Sequence, residues 1–153
     1  MNRKIKENDL FIYFEAIEQL EPQTVLDIGM LLRRAGIVSR KAMNREIPEE
    51  IKLDGVSFTP QASFPALKNV YDKIMNIQTF LRQASDPKYD CTILIGIETL
   101  KMHAPLSDLL QKARQCSKYI LTDHLMEEQP DLNYKFTDLK VDEDLYYLYN
   151  FGE

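Results

Sequence analysis

The sequence predicts an α/β fold with three layers, in which helices cover both faces of a mostly parallel sheet of about six strands. Two patterns indicate this architecture: segments with helical spacing of apolar residues alternate with short apolar runs, and two short strands close the chain. The central runs are apolar almost without interruption, which is typical of strands covered on both faces. The closing pair predicts an antiparallel edge at the C-terminal side of the sheet.

Ten elements account for the chain in this prediction. The first half contains a helix over 10–20, a strand over 24–29, a helix over 31–42, a strand over 52–58 and a helix over 67–81. The last of these has the clearest helical spacing in the sequence, and it leaves no third strand before Asp90. The second half contains a strand over 90–96, a helix over 106–116, a strand over 118–123 and closing strands over 134–139 and 145–150.

Length and composition indicate one globular domain over residues 1–153, because 44% of the residues are hydrophobic and 28% are charged. No apolar run reaches the roughly 20 residues that a membrane-spanning helix needs, so no membrane partner is expected. The first ten residues lack the apolar core of a secretory signal, so a cytoplasmic location is expected. There, Cys91 and Cys116 are expected to be reduced, packed thiols.

The charge of the chain is acidic in total and uneven along its length. A net charge of −5 makes a nucleic-acid partner unlikely on electrostatic grounds. Residues 30–45 nevertheless contain five basic residues and no acid, and Arg34, Lys41 and Arg45 would share one face of the predicted helix. Such a face could bind a phosphate or carboxylate, remain solvated, or pair with the acidic C-terminal segment of another copy.

Four segments carry a family resemblance. Thr24-Val25-Leu26-Asp27-Ile28-Gly29 resembles the first strand and glycine turn of class I S-adenosylmethionine-dependent methyltransferases. The segment YDCTILIGIE at 89–98 looks like the family's fourth strand, which opens with an aspartate and leads into the active-site loop. The segments at 105–116 and 119–123 look like the helix and fifth strand that follow. The resemblance implies a Rossmann-like sheet with a cofactor at the carboxyl ends of its strands.

The resemblance also implies which residues contact that cofactor: Asp27, Gly29, Ser57 and Glu98. In the family, small residues in the first turn let the backbone approach the cofactor, and an acid at the end of the second strand binds the ribose. Here Met30 and Leu31 stand where small residues are expected and would occupy the space of the ligand. Ser57 lies at about the place of the acid, whereas Asp54 comes too early. The sequence therefore predicts a degenerate cofactor site, and S-adenosylmethionine is a doubtful cofactor for it.

Glu98 and His103 follow the fourth strand and are the candidate catalytic pair. A carboxylate and an imidazole at the mouth of the cleft could act as base and acid in a transfer to oxygen or nitrogen, or they could be polar surface. Asp123 and His124 end the fifth strand and either line the same cleft or pack beside it. No metal site is predicted, because His103 and His124 lack partners at ligand spacing.

Aromatic residues crowd the last predicted strand. Alternation places Tyr147, Tyr149 and Phe151 on one face and Tyr146 on the other. These rings could complete the core or form a contact with another copy of the chain, which would make the protein a homo-oligomer.

Two hypotheses on function remain at this stage. The first is a methyltransferase-like enzyme, or former enzyme, that binds S-adenosylmethionine or a related nucleotide at the carboxyl ends of the strands. The second is a non-catalytic binding or assembly protein that kept the fold and lost cofactor binding. The sequence leaves open whether the chain is an enzyme, and it names neither a substrate nor a reaction.

Overall fold

A computed structural model describes residues 7–37, 39–41, 45–58, 69–82, 88–124, 131–132, 140–141 and 144–151. The helices in these ranges are α1 (Glu7–Leu20), α2 (Leu31–Arg34), α3 (Ile77–Arg82), α4 (Ile97–Leu100) and α5 (Leu106–Cys116). The strands are β1 (Thr24–Ile28), β2 (Lys52–Ser57), β3 (Lys73–Asn76), β4 (Tyr89–Leu94), β5 (Ser117–Thr122), β6 (Asp131–Leu132), β7 (Lys140–Val141), β8 (Asp144–Leu145) and β9 (Tyr147–Asn150).

The main sheet has the strand order β3-β2-β1-β4-β5-β9-β6. Strands β1 to β5 run parallel to one another, and β9 runs antiparallel to both β5 and β6. This arrangement confirms the predicted α/β class, with its mostly parallel sheet and antiparallel C-terminal edge. The chain moves outward in one direction from β1 to β3 and in the other from β4, so the two halves of the sheet meet between β1 and β4. Open sheets of this kind bind ligands at the carboxyl ends of the strands beside such a meeting point.

Buried side chains form a cluster on each face of the sheet, which gives the three predicted layers. The first cluster packs α1 and α2 on the sheet and includes Ile12, Ile17, Leu31, Val25 and Leu53. The second cluster packs α3 and α5 on the opposite face and includes Phe80, Leu109, Ala113, Leu26 and Ile120.

The prediction of one long helix over 67–81 is wrong. Residues 73–76 form β3, which pairs in parallel with β2, and a helix begins only at Ile77. In β3 only Met75 is buried, because the strand lies at the edge of the sheet. Four residues with one buried side chain show too little alternation to be distinguished from helical spacing, especially when Ile74 and Ile77 fit that spacing as well. The third strand that the sequence did not reveal is therefore present.

The second predicted helix is also shorter than expected. Helix α2 ends at Arg34, and Gly36 follows with a φ of 87°. The amide of Ile37 donates to the carbonyl of Leu32, and the amide of Gly36 donates to that of Arg33. This pair of hydrogen bonds is the Schellman motif, which ends a helix at a glycine. Residues 38 and 42–44 of the predicted helix lie outside the described residues.

The aromatic strand at the C-terminus completes the core on both faces of the sheet. Tyr146 and Leu148 are buried in the first cluster, whereas Tyr149 is buried in the second. The hydroxyl of Tyr146 donates to the Asp9 carboxylate at 2.6 Å and so ties the end of the chain to α1. The predicted alternation is confirmed, and so is the packing of these rings in the core. Residues 134–139 of the other closing strand lie outside the described residues.

The two cysteine side chains should be unreactive in the folded protein. Both thiols are free and buried, and burial raises the pKa of Cys91 to about 12. Since the thiolate is the reactive form, we expect a chromogenic disulfide reagent to modify neither cysteine at pH 8 and both in denaturant. Fast modification of the native protein would contradict this burial.

Candidate functional site

The candidate site lies where β1, β2 and β4 end, and Asp27 is its most deeply buried polar residue. The Asp27 carboxylate accepts hydrogen bonds from the backbone amide of Leu31 at 2.9 Å and from the hydroxyl of Tyr71 at 2.8 Å. Longer hydrogen bonds, both of 3.5 Å, come from the hydroxyl of Tyr13 and the amide of Leu32. The side chain therefore joins α1, the start of α2 and the segment before β3.

Burial raises the pKa of the Asp27 carboxyl, although hydrogen bonds from Leu31 and Tyr71 and the charge of Arg34 oppose the shift. Burial and the neighbouring Asp27 also raise the pKa of the Tyr13 and Tyr71 hydroxyls well above the ordinary value. Both phenols consequently remain protonated and donate to the carboxylate. Asp27 is placed to hold the turn together rather than to project into solvent.

The turn after β1 has the backbone shape of a glycine turn although only its first residue is glycine. Gly29 has a φ of 86°, and Met30 follows at φ 54° and ψ 63°, in the left-handed region that side chains disfavour. Met30 and Leu31 do not fill the ligand space as the sequence suggested. Both are buried in the first cluster, and Met30 packs so closely on β2 that a Cβ at Gly55 would lie 3.0 Å from its Cγ.

Other side chains fill the space over Gly29. A Cβ at this position would lie 2.5 Å from Cδ2 of Leu100, 3.2 Å from a terminal nitrogen of Arg34 and 3.3 Å from Cε2 of Phe58. Leu100 comes from α4, Arg34 from α2 and Phe58 from the end of β2, so three separate segments converge on one glycine. Apolar spacing carries no signal for Leu100 or Phe58, because Leu100 ends the single turn of α4 and Phe58 follows β2.

Arg34 bridges the ends of two strands. Its Nε donates to the carbonyl of Gly29 at 2.9 Å, and a terminal nitrogen donates to the carbonyl of Ile95 at 3.1 Å. These carbonyls follow β1 and β4, the two strands between which an open sheet of this type binds its ligand. The guanidinium of Arg34 therefore donates hydrogen bonds to two backbone carbonyls at the centre of the candidate site.

The predicted basic helix face does not exist, because α2 ends at Arg34. Arg34 lies at the carboxyl ends of the strands, whereas Arg45 lines a groove with Pro22, two residues before β1, and Ile51, immediately before β2. Arg34 and Arg45 thus lie near opposite ends of the strands. Lys41 is exposed. Anion binding by Arg34, Lys41 and Arg45 as one face loses its structural basis.

The second strand brings Ser57, not a carboxylate, to the site. Ser57 is the last residue of β2 and is 5% exposed, next to the carboxyl end of β1. Asp54 lies earlier in β2 and is buried, where its carboxylate accepts a hydrogen bond from the hydroxyl of Tyr89 at 2.8 Å. The structure therefore places Asp27, Gly29 and Ser57 on neighbouring strand ends, as the sequence predicted, and keeps Asp54 away from them.

Glu98 and His103 both lie beyond the carboxyl end of β4 but have different partners. The Glu98 carboxylate is exposed and forms an ion pair of 2.8 Å with Nζ of Lys101. The ring of His103 stacks on that of Phe58, with 5.1 Å between centroids. The carboxylate of Asp123 accepts the amides of Gly96 and Ile97, at 3.1 and 3.2 Å, and so fixes the turn between β4 and α4. Catalysis by Glu98 and His103 stays a prediction.

Two negative observations concern the described residues alone. Among them, no three His, Cys, Asp or Glu side chains lie close enough together to hold a metal ion. No helix in the same ranges combines the length and the apolar character needed to cross a bilayer.

Comparison of the sequence with models of known protein families gave no match, and comparison with curated proteins gave none either. Comparison of the fold with solved structures did give matches. A Staphylococcus aureus protein described as a caffeoyl-CoA O-methyltransferase superimposes with a TM-score of 0.56 and 13% identity, over 80% of this chain and 59% of that one. A Klebsiella pneumoniae protein described as an O-methyltransferase gives 0.53 and 16%, over 83% and 63%.

A third solved structure matches over a larger share of its own length. The 16S rRNA methylase ArmA superimposes with a TM-score of 0.53 and 16% identity, over 92% of this chain and 81% of that one. The chain thus has the Rossmann-like fold of class I methyltransferases, as its strand order also indicates. It spans about six-tenths of the length of the two O-methyltransferases.

The methyltransferase fold implies S-adenosylmethionine, so the space at Gly29 decides whether that cofactor fits. A glycine at this turn lets a ligand approach the backbone closely. Here the approach is taken by Leu100, Arg34 and Phe58, with Leu100 close enough to clash with even a methyl group on Gly29. The two carbonyls at this point already accept hydrogen bonds from Arg34. In this arrangement the residues around Gly29 do not fit the cofactor.

Proposed function

We propose that this chain is a non-catalytic domain with the methyltransferase fold, which acts by binding or assembly. The observation that carries the proposal is the filled space over Gly29, where Leu100, Arg34 and Phe58 meet. The buried position of Asp27 supports it, because this carboxylate is committed to Tyr71 and to the start of α2. Under this proposal the strand ends position α2 and α4 instead of a cofactor.

A second candidate function is a methyltransferase-like domain that binds S-adenosylmethionine or a related nucleotide. The left-handed turn at Gly29 and Met30 favours it, because that backbone shape matches a glycine turn. The position of Ser57 beside β1 and the exposure of Glu98 after β4 agree with the same function. It requires Leu100, Phe58 and Arg34 to leave Gly29 before the ligand enters.

Thermal unfolding with added cofactor separates the two functions. We expect about 1 mM S-adenosylmethionine or S-adenosylhomocysteine to leave the Tm unchanged. A ligand at 100 times its Kd would stabilise the fold by about 2.7 kcal/mol and raise the Tm by several degrees. Such a shift in the unmodified chain would overturn the first proposal in favour of the second.

A matched pair of variants then tests the cause of a negative result. Leu100→Ala removes the side chain nearest to Gly29, and Leu109→Ala removes an equally buried leucine of the same cluster. If the turn keeps its shape and the Leu100 side chain is what blocks the cofactor, the Tm of Leu100→Ala should rise with added cofactor and the Tm of Leu109→Ala should not. A shift in both variants would mean that loosened packing, not the space over Gly29, controls binding.

A further inference from the structure

A groove of about 630 Å³ lies at the amino ends of the strands, whereas the candidate site lies at their carboxyl ends. It runs between the end of α1 and the segment that leads into β2. Its apolar residues are Phe14 and Ile17 of α1, Ile51 before β2, and the prolines Pro22 and Pro48. Ile17, Pro22 and Ile51 are buried, so the floor belongs to the core and has a fixed shape.

The rim of this groove is acidic. Among the described residues, four acidic side chains and one basic side chain line it, and all five are exposed: Glu18, Glu21, Glu46, Glu50 and Arg45. Four carboxylates against one guanidinium give the rim an excess of three negative charges. A concave surface with low-dielectric walls focuses such a field on whatever enters it.

A smaller hollow of about 240 Å³ continues the groove along the amino ends of β1, β4 and β5. The two share Glu21 and Pro22. The hollow adds Asp90, Lys118 and Tyr119, with Nζ of Lys118 5.7 Å from the centroid of the Tyr119 ring. Glu21 holds this junction in the left-handed region, at a φ of 46°, where glycine is the usual residue after a helix. The groove and hollow together form one elongated trough with a carboxylate at its junction.

We propose that this trough binds a basic segment of a partner protein that inserts one or two apolar side chains. The apolar floor accounts for the inserted side chains, and the acidic rim accounts for flanking lysines or arginines. The same sign of charge opposes nucleic acids and phosphate-bearing ligands. A second copy is the poorer occupant, because each copy carries a net charge of −5. The inference rests on the proposed binding function and names its partner class.

Fluorescence anisotropy with a labelled peptide, Lys-Arg-Leu-Phe-Lys-Arg, tests the trough. We expect binding that weakens about tenfold when Glu18→Gln and Glu46→Gln are combined, since two exposed charge pairs are lost. The control combines Glu7→Gln with Asp108→Asn, which removes the same charge from exposed positions outside the trough, and it should bind as the unmodified chain does. A peptide with Ser-Ser in place of Leu-Phe should bind weakly.

Three results with the peptides would overturn the proposal. They are absence of binding up to about 100 μM peptide, equal weakening in the trough variant and its control, and equal binding of the Ser-Ser peptide. A chain that dimerises in sedimentation and dissociates with the two trough substitutions would assign the trough to a second copy and likewise overturn it. A Tm shift with S-adenosylhomocysteine would instead overturn the non-catalytic function and leave the peptide result standing.

Discussion

Gly29→Ala is expected to lower the free energy of unfolding by about 2–5 kcal/mol. The left-handed backbone, at a φ of 86°, costs a side-chain-bearing residue about 1–2 kcal/mol. The new Cβ would also lie 2.5 Å from Cδ2 of Leu100, so packed neighbours must move, at a further cost of about 1–3 kcal/mol. Urea unfolding of the variant and the unmodified chain measures the difference.

Gly36→Ala is the matched control for this prediction. Gly36 has nearly the same φ, 87°, but a Cβ there would meet no atom of the described residues within 4 Å. Its loss should therefore be limited to the backbone cost of about 1–2 kcal/mol. Equal losses for the two alanine variants would show that the space over Gly29 is not filled.

Asp27→Ala is expected to destabilise the fold by about 2–6 kcal/mol. The change leaves the amide of Leu31 and the hydroxyl of Tyr71 buried without their acceptor, and each unsatisfied group costs about 1–3 kcal/mol. Tyr71→Phe removes one of the two donors and should cost less. If Asp27→Ala were as stable as the unmodified chain, the carboxylate would not be the structural centre of the turn.

The stability difference between the unmodified chain and Asp27→Asn should change with pH in a defined direction. Because burial raises the pKa of the Asp27 carboxyl, the folded protein holds its proton more tightly than the unfolded chain. The stability that this bound proton contributes is complete below the pKa of the carboxyl in the unfolded chain, about 3.9. It is lost as the pH rises through the pKa of the carboxyl in the folded protein. The unmodified chain should therefore lose stability relative to Asp27→Asn as pH rises above about 4. A gain with pH would contradict the assignment.

Much of the fold could be predicted from the sequence because buried parallel strands leave continuous apolar runs. Strands β1, β4 and β5 lie in the middle of the sheet, and each was found from such a run. Strand β3 was missed because it lies at the sheet edge and buries only Met75. The end of α2 was missed because apolar spacing continued past Gly36, whose φ of 87° stops the helix.

The candidate site was predictable only in part, for a related reason. The positions of Asp27 and Gly29 were predictable because strand ends are visible in the sequence, and the family resemblance indicated Ser57 on the neighbouring strand. Leu100 and Phe58 were not found, because their approach to Gly29 depends on how short loops fold over the sheet. Met30 was expected in the ligand space, yet its left-handed backbone turns the side chain into the core beside Gly55.

The central claim, that the chain's own side chains fill the cofactor space, is tested most directly by NMR on leucine-methyl-labelled protein. Because Cδ2 of Leu100 lies over Gly29, we expect a nuclear Overhauser effect between a Leu100 methyl and the Gly29 α-protons. It also predicts that about 1 mM S-adenosylhomocysteine leaves this effect and the Gly29 amide shift unchanged. Loss of the effect, with saturable shifts of both residues on addition of the ligand, would contradict the account.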